Sequence, residues 1–401
     1  MKDWRPSTWG EEIALEYGKA LRNYSTGESG AYRVYGSNGA IGWTDVPLTS
    51  GPGVVLGRKG AYRGVQYSVA PFFVIDTAYY VVPKAELDMR WLYYAITFYR
   101  LGEIDDGSPI PSTTRAAVYV RELRVPPIEE QKAISFVLGA IDDKIELNRR
   151  TNQTLEATAR AVFKDWLVDF GPVRAKCESC EPYLAPDAWE LFPDQFGVDG
   201  LPIGWTRLPL DKAADFLNGL ALQKFPPTGA SDLPVIRIAD LRAGAARGDA
   251  LASGNLPSQY IIDDGDVIFS WSGSLLQRIW TGGRGALNQH LFKVTSERFP
   301  KWFHYLWVDY HLPEFQRIAA AKATTMGHIQ RHHLTAAAVV VPTEPVLEAA
   351  NAVLAPILEA IVRNDVESRE LGAVRNLLLP KLISGDLRIK DAERFIEEAT
   401  A

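Results

Sequence analysis

The chain has 401 residues, of which 47% are hydrophobic and 23% charged, and its formal net charge is -6. At ~150 residues per domain this length predicts two to three domains, and the composition excludes long disordered stretches. The chain has only two cysteines, Cys177 and Cys180, which excludes a disulfide framework and a zinc site made of four cysteines. Because the N-terminus lacks a signal-peptide-like apolar stretch and no long uncharged apolar run occurs, we expect a cytoplasmic protein with no membrane partner.

The first predicted domain, residues 1–124, is a mixed α/β domain. It contains a β-branched strand at Gly53–Leu56, then a glycine-rich turn, an aromatic strand and an aromatic helix near Trp91. This domain carries 14 basic and 13 acidic side chains. An acidic chain can therefore still present a locally basic surface to nucleic acid.

Polar and basic turns are the candidate DNA contacts of this domain. The turn Gly57–Gly60 is too short for an ATP phosphate loop, and we interpret it as a basic turn able to contact backbone phosphate or a base edge. The alternatives are a solvated hairpin tip there, a simple Asn-Gly turn at residues 38–39, and helix capping by the hydroxyls of residues 112–114. The candidate DNA-binding residues are Ser37, Asn38, Arg58, Lys59, Tyr62, Arg63, Ser112, Thr113, Thr114 and Arg115.

Residues 125–170 predict a long helix that starts after prolines. Its apolar positions alternate at spacings of three and four, as in a coiled-coil seam. The two rows of the seam are Ile134, Ile141, Asn148, Leu155 and Val162, and Leu138, Ile145, Asn152, Ala159 and Trp166. A helix with one apolar stripe needs a partner helix.

Residues 171–196 predict a proline-rich linker. Its Cys177 and Cys180 form a single C-x-x-C pair, which we interpret as free thiols. A redox or metal-binding role is the alternative, and the sequence does not decide between them.

The second mixed α/β domain is predicted over residues 197–340, with 14 basic and 12 acidic side chains. It repeats the order of a short strand at Gly265–Phe269, a glycine-rich turn, an aromatic strand and an aromatic helix. His328 and His332 share a helical face, but no suitably spaced acid follows, so no metal site is predicted. The candidate DNA-binding residues are Ser272, Ser274, Gln277, Arg278, Arg284, Thr324, Thr325, His328, Gln330 and Arg331.

Residues 341–390 predict a second long helix, and residues 391–401 a tail. This helix repeats the first one without a gap at an offset of 216 residues, so that Pro126 matches Pro342 and Asn148 matches Asn364. If the helices pair antiparallel, the two asparagines meet at the seam and set its register. The sequence thus predicts an α+β fold with two unlike domains separated by an antiparallel two-helix coiled coil roughly 60 Å long.

Several of these segments resemble the specificity subunits of type I restriction-modification systems. The first long helix resembles the family's first conserved helical region. Two later segments resemble the start and middle of its second target-recognition domain, and a last one resembles its C-terminal end. The segments are Val125–Ile134, Ile141–Asn148 and Phe163–Trp166, then Leu201–Trp205 and Asn288–Phe292, and finally Leu379–Gly385.

The resemblance implies a subunit that reads double-stranded DNA with two target-recognition domains and is not itself catalytic. It also implies two methyltransferase subunits as partners and, in the larger complex, two restriction subunits that move DNA. Consistent with this implication, the sequence contains neither an amino-methyltransferase tetrapeptide nor an ATP phosphate loop. S-adenosylmethionine, ATP and magnesium are therefore expected on the partner subunits.

The domains themselves favour the same function. Two unlike, mildly basic domains suit a bipartite, asymmetric duplex site, because two identical domains would require a palindrome. The alternative is a non-catalytic coiled-coil adaptor that holds two protein- or ligand-binding domains. The bases recognised, the spacer length and the docking surface of the methyltransferase are not set by any motif in the chain.

Overall fold

The computed structural model describes residues 4–27, 30–105, 107, 109–229, 231–321 and 327–389, and the structural statements below refer to these residues. Contacts divide the chain into two compact units. Unit 1 comprises the described residues up to Ile145 and from Glu370 onward, and unit 2 comprises Glu146–Arg369. Each unit combines sheets with helices, which confirms the predicted α+β class.

The strands of unit 1 are, in chain order, β1 (Arg5–Thr8), β2 (Ile13–Tyr17), β3 (Tyr32–Gly36), β4 (Gly39–Thr44), β5 (Gly53–Gly57), β6 (Val65–Ser68), β7 (Phe72–Val74), β8 (Ala78–Pro83) and β9 (Glu122–Val125). The main sheet has the order β2-β8-β5-β6, and a smaller sheet has the order β4-β3-β7. Strand β5 is buried along its whole length, as its uninterrupted apolar sequence requires.

The helices of the globular part of unit 1 are α1 (Trp9–Glu12), α2 (Met89–Phe98) and α3 (Arg115–Tyr119). Side-chain caps fix where two of them begin. The Asp88 carboxylate accepts the backbone N–H of Trp91 at 2.8 Å, and the Thr114 hydroxyl accepts that of Ala117 at 3.2 Å. Helix α2 buries Trp91 in the hydrophobic core of unit 1.

The first long helix, α4 (Ile128–Phe163), starts after two prolines and continues into a π-helical turn at Lys164–Val168. The residues after it form two short helices, α5 (Gly171–Cys177) and α6 (Pro186–Leu191). Val173 and Phe192 from this segment belong to the hydrophobic core of unit 2. The segment predicted as a linker thus packs as part of that unit.

The strands of unit 2 are β10 (Thr206–Pro209), β11 (Asp215–Asn218), β12 (Leu233–Ile236), β13 (Leu251–Ala252), β14 (Ile261–Ile262), β15 (Val267–Ser270), β16 (Gln277–Ile279), β17 (Gly285–Leu287), β18 (Leu291–Thr295) and β19 (Ala338–Val341). Its further helices are α7 (Leu210–Ala213), α8 (Ile238–Ala243), α9 (Lys301–Ala321) and α10 (Arg331–Ala336), and α11 (Glu344–Ser384) is the second long helix.

The two units repeat one topology. The main sheet order β11-β18-β15-β16 of unit 2 corresponds to β2-β8-β5-β6 of unit 1. In each unit one pair of strands in the smaller sheet is parallel, β3 with β7 and β12 with β17. In each unit an antiparallel pair, β1 with β9 or β10 with β19, leads into a long helix. The duplication that the sequence shows in the helices therefore extends to the globular parts.

The coiled-coil seam follows the predicted heptads, because every predicted seam position of the first long helix, and its counterpart 216 residues later in the second, is buried or half-buried. Its polar break is a hydrogen-bonded network within unit 2. Asn148 Nδ2 donates to the Asn364 carbonyl at 3.3 Å, and Asn364 Nδ2 donates to Asn152 Oδ1 at 2.8 Å. Asn152 Nδ2 in turn donates to Asp365 Oδ1 at 2.7 Å. The helices run antiparallel here, since Asn148 also donates to Ser368 Oγ at 3.2 Å, whereas the later Asn152 donates to the earlier Ile361 carbonyl at 3.1 Å.

Unit 1 also contains one stretch of each long helix. Asp142 of α4 accepts a hydrogen bond from Arg375 of α11 at 2.7 Å. Leu378 and Leu382 of α11 lie in the same hydrophobic core as Trp4 near the start of the chain. The first and last described parts of the chain therefore pack within one unit.

Among the described residues, one helix, α11, is long and apolar enough by composition to cross a membrane. Core helices of soluble proteins satisfy the same criterion. The apolar side chains Val346, Leu354 and Leu358 of α11 are buried in the core of unit 2.

Candidate nucleic-acid interface

Three loops of unit 1 meet at the C-terminal end of β5 and carry residues predicted to contact DNA. Ser37 Oγ donates to the Lys59 carbonyl at 2.5 Å and accepts the Lys59 N–H at 3.2 Å. Lys59 also forms an isolated β-bridge with Ser112. We call this surface, residues 37–38, 58–63 and 112–115, loop cluster 1.

Some predicted residues of loop cluster 1 lie at its surface. Asn38 and Lys59 are exposed, and Tyr62 is 76% exposed. Their cation, amide and aromatic ring can contact phosphate, a base edge and a sugar or base face.

Arg63 points into the protein. Its Nε, Nη1 and Nη2 atoms donate to the carbonyls of Gly102 at 2.8 Å, Gly60 at 2.6 Å and Ile104 at 3.1 Å. Its Nε also lies 3.1 Å from the hydroxyl of Thr113, which is fully buried. These two residues hold the loops together, whereas the sequence suggested that they contact DNA.

Thr114 and Arg115 also bond to the protein. Thr114 caps α3, which is the alternative that its sequence context left open. Arg115 Nε donates to the Leu15 carbonyl at 2.6 Å, and the guanidinium lies 3.4 Å from the Glu16 carboxylate. The Arg115 side chain remains 34% exposed.

Tyr17 is a member of this surface that sequence reasoning missed. The guanidinium carbons of Arg58 and Arg115 lie 5.0 and 4.3 Å from the centre of its ring. The neighbouring Tyr79 donates to the Thr113 carbonyl at 3.3 Å, and burial raises the pKa of Tyr79 to about 12, so it stays a neutral donor. Tyr17 ends a strand and so carried no turn signal.

Unit 2 has a corresponding surface at the end of β15. Ser272 forms an isolated β-bridge with His328, and Ser272 Oγ lies 3.0 Å from His290 Nδ1. Trp271 Nε1 donates to Asn218 Oδ1 at 2.8 Å. We call this surface, residues 271–274, 288–290 and 327–331 with Asn218, loop cluster 2.

A cavity of about 370 Å³ opens within loop cluster 2. Gln330 and Arg331 are exposed there, and the His328 ring lies edge-on to Trp271 at 6.5 Å between centres. Arg331 Nη2 donates to the Phe216 carbonyl at 3.2 Å. The residues lining the cavity are Asn218, Trp271, Phe292, His328, Ile329, Gln330 and Arg331.

Other predicted residues of unit 2 lie elsewhere. Gln277 and Arg278 are on β16, and their side chains donate to the carbonyls of Tyr305 at 2.8 Å and Arg242 at 3.3 Å. Arg284 lies 3.9 Å from Asp263, whose segment precedes β15, so it is at the strand end opposite loop cluster 2.

Of the remaining predicted residues of unit 2, Ser274 is in the exposed loop after β15, and its carbonyl accepts from Ser270 Oγ at 2.6 Å. Thr324 and Thr325 lie outside the described residues. Within the described part of the chain no group of three His, Cys, Asp or Glu residues could hold a metal ion. Cys177 and Cys180 are exposed free thiols, and Cys177 Sγ contacts the Asp194 carbonyl at 2.9 Å.

The geometry defines a class of protein: a duplicated α+β chain in which each unit presents a loop cluster of cations, amides and aromatic rings, the groups that nucleic-acid-binding surfaces use. Comparison with known families identifies what the chain is similar to. Residues 1–157 match the family model of the type I restriction modification DNA specificity domain. Over most of its length the chain is also similar to type I restriction-modification specificity subunits.

Individual relatives show the extent of this similarity. The chain is 26% identical over 330 residues to the MjaIX specificity subunit of Methanocaldococcus jannaschii, covering 78% of this chain and 72% of that one. It is 22% identical over 374 residues to the HindI specificity subunit of Haemophilus influenzae, covering 79% and 81%. The crystal structure of the S subunit from M. genitalium has the same fold, with a TM-score of 0.60 at 16% identity over 95% of this chain and 96% of that one.

Proposed function

We propose that this chain is a type I specificity subunit that reads a bipartite, asymmetric sequence in double-stranded DNA, one half-site with each unit. The observation that supports this proposal is the repetition of one topology with different side chains in the two loop clusters. Equivalent scaffolds present the clusters, but cluster 1 carries Arg58 and Lys59 where cluster 2 carries Trp271 and Ser272. Unlike reading surfaces require unlike half-sites, whereas an identical pair would read a palindrome.

We further propose that the chain itself is not catalytic and acts in the cytoplasm as a scaffold. In this proposal it binds two methyltransferase subunits and, in the larger complex, two restriction subunits. S-adenosylmethionine, ATP and magnesium then belong to those subunits. The duplicated long helices support such a role, because a repeated surface offers two equivalent docking sites to two copies of one partner.

The test is a map of methylated bases in restriction-free cells that produce the chain together with its methyltransferase subunit. We expect one asymmetric motif of two specific half-sites separated by a fixed gap. Cells that produce either subunit alone are the controls and should show no such motif. A palindromic motif would contradict the two-reader proposal, and methylation by the purified chain alone would contradict a non-catalytic role.

Binding measurements separate the proposal from the adaptor alternative. The assembled complex should bind duplex DNA with an affinity that falls steeply as the salt concentration rises, because phosphate contacts release counterions. A complex that shows no salt-dependent duplex binding would favour an adaptor that holds proteins or other ligands.

A further inference from the structure

The backbone contacts of the two loop clusters give a residue-by-residue correspondence that the sequences do not show. In unit 1 the Thr113 N–H donates to the Arg58 carbonyl, and the Gly60 N–H donates to the Pro111 carbonyl. In unit 2 the same two bonds join Ile329 to Trp271 and Gly273 to Gly327. Arg58 therefore corresponds to Trp271.

Strand pairing extends the correspondence to the sheet. Tyr17 at the end of β2 pairs with Tyr79, and Asn218 at the end of β11 pairs with Phe292. The glycine after each strand donates its N–H to the residue before this partner, Ala78 or Leu291. Each unit therefore has four equivalent positions at one place, and their occupants are Tyr17, Arg58, Tyr79 and Arg115 in unit 1 and Asn218, Trp271, Phe292 and Arg331 in unit 2.

One of the four positions is an arginine held in the same way in both units. Arg115 donates to the Leu15 carbonyl and lies 5.9 Å from the Tyr79 ring centre. Arg331 donates to the carbonyl of Phe216, which corresponds to Leu15, and lies 5.8 Å from the Phe292 ring centre. Both arginines are the first residue of a short helix, α3 or α10.

Two other positions differ completely. In unit 1 they hold a tyrosine ring with the Arg58 guanidinium over it, and in unit 2 the Asn218 amide with the Trp271 indole bonded to it. Arginine suits the two acceptors of guanine in the major groove, whereas an indole cannot make that pair of hydrogen bonds. The pair thus changes its hydrogen-bonding chemistry on an unchanged backbone.

We infer that three of these positions form one DNA-contact site in each unit, packed on the buried ring at the fourth position, Tyr79 or Phe292. The repeated arginines Arg115 and Arg331 contact backbone phosphate independently of sequence. The pairs Tyr17 with Arg58 and Asn218 with Trp271 contact base edges and set which bases each half-site contains. This inference rests on the proposed function, because it assigns the groups that read the DNA.

The first test exchanges the variable pairs. The chain with Tyr17→Asn and Arg58→Trp, assembled with its methyltransferase subunit, should methylate a motif altered in one half-site only. The chain with Asn218→Tyr and Trp271→Arg should alter the other half-site only. Affinity for the wild-type site relative to nonspecific DNA should fall about tenfold or more, as for a mismatched base pair.

The second test removes the repeated arginines. Arg115→Ala and Arg331→Ala should keep the wild-type motif, weaken binding to specific and nonspecific DNA by the same factor, and shallow the logarithmic salt dependence by about one unit each. Arg115→Lys and Arg331→Lys should restore the salt dependence, because the cation is retained. The matched controls Arg124→Ala and Arg207→Ala, on β9 and β10, remove exposed arginines outside the clusters and should leave both the affinity and its salt dependence unchanged.

The outcomes separate the two proposals. A wild-type complex that yields no bipartite motif would overturn the proposed function. A wild-type motif that persists in both pair exchanges would overturn the inference while the proposed function stands. Where an exchanged chain fails to assemble, the single change Arg58→Gln or Trp271→Phe replaces it, and an unaltered motif from that variant overturns the inference in the same way.

Discussion

Neighbouring side chains of loop cluster 1 have opposite roles, although they look alike in the sequence. Lys59 is exposed, whereas Arg63, four residues later, donates to the backbone carbonyls of three loop residues. A basic turn can be recognised from composition. Which of its cations points outward depends on where the fold places the carbonyls of distant segments, and the sequence of the turn does not determine this.

Replacing Arg63 should therefore affect stability. Arg63→Ala removes a charged donor from the carbonyls of Gly60, Gly102 and Ile104, so we expect the free energy of unfolding to fall by about 2–3 kcal/mol. Urea unfolding of the full chain measures this change. Lys59→Ala is the control and should change stability by no more than about 0.5 kcal/mol. Equal stability of the two variants would show that the Arg63 contacts do not hold the loops.

The seam of the long helices is the best predicted element, and the reason is that its signal is local. A heptad repeat needs only the residues of one helix, and the observed helices, α4 and α11, bury their predicted positions. The main sheets are different, because β2 pairs with β8 more than sixty residues later, and β3 pairs in parallel with β7. Tyr17 and Asn218 were missed for this reason: their neighbours come from non-local pairing.

The polar network in the seam should behave as one unit. Asn152→Leu removes the hydrogen-bond acceptor of the Asn364 amide and one donor to the Asp365 carboxylate. We expect the free energy of unfolding to fall by about 1–3 kcal/mol. The double change Asn152→Leu with Asn364→Leu should cost less than the sum of the single changes by more than about 0.5 kcal/mol. Urea unfolding of the four chains gives this coupling.

A distant pair calibrates that measurement. Asn152→Leu combined with Lys59→Ala joins sites in different units, and its two effects should add. If the effects of the two seam substitutions on the free energy of unfolding also add, then the hydrogen bond between the asparagines contributes no coupling. The register must in that case be fixed by the apolar positions alone.

At the scale of the whole molecule, both long helices cross the boundary between the units, α4 after Ile145 and α11 after Arg369. Adding seven residues at both places preserves the heptad and leaves the polar network within unit 2. The helix pair lengthens by ~10 Å at 1.5 Å per residue. If the helices set the spacing of the half-sites, the gap between them should grow by at most about 3 base pairs, since duplex DNA rises ~3.4 Å per pair.

The map of methylated bases in cells that produce the lengthened chain with its methyltransferase subunit measures this gap. Both half-site sequences should stay the same, because no loop cluster is altered. Adding seven residues to α4 alone is the control, since it shifts the seam on one side and should abolish assembly or activity. An active complex with the original gap would show that the helices are not the spacer.

The path of the chain through the units also determines the order in which they can fold during synthesis. Unit 2 is one continuous stretch, Glu146–Arg369, whereas unit 1 takes its core from both sides of that stretch, including Leu378 and Leu382 of α11. A ribosome adds residues from the N-terminus onward, and domains generally fold as units during this process. The unit that is translated first is therefore the one completed last. Until residues 370–389 emerge, the nascent chain carries an unfinished core near its own beginning, and this interval is when chaperones have most to protect.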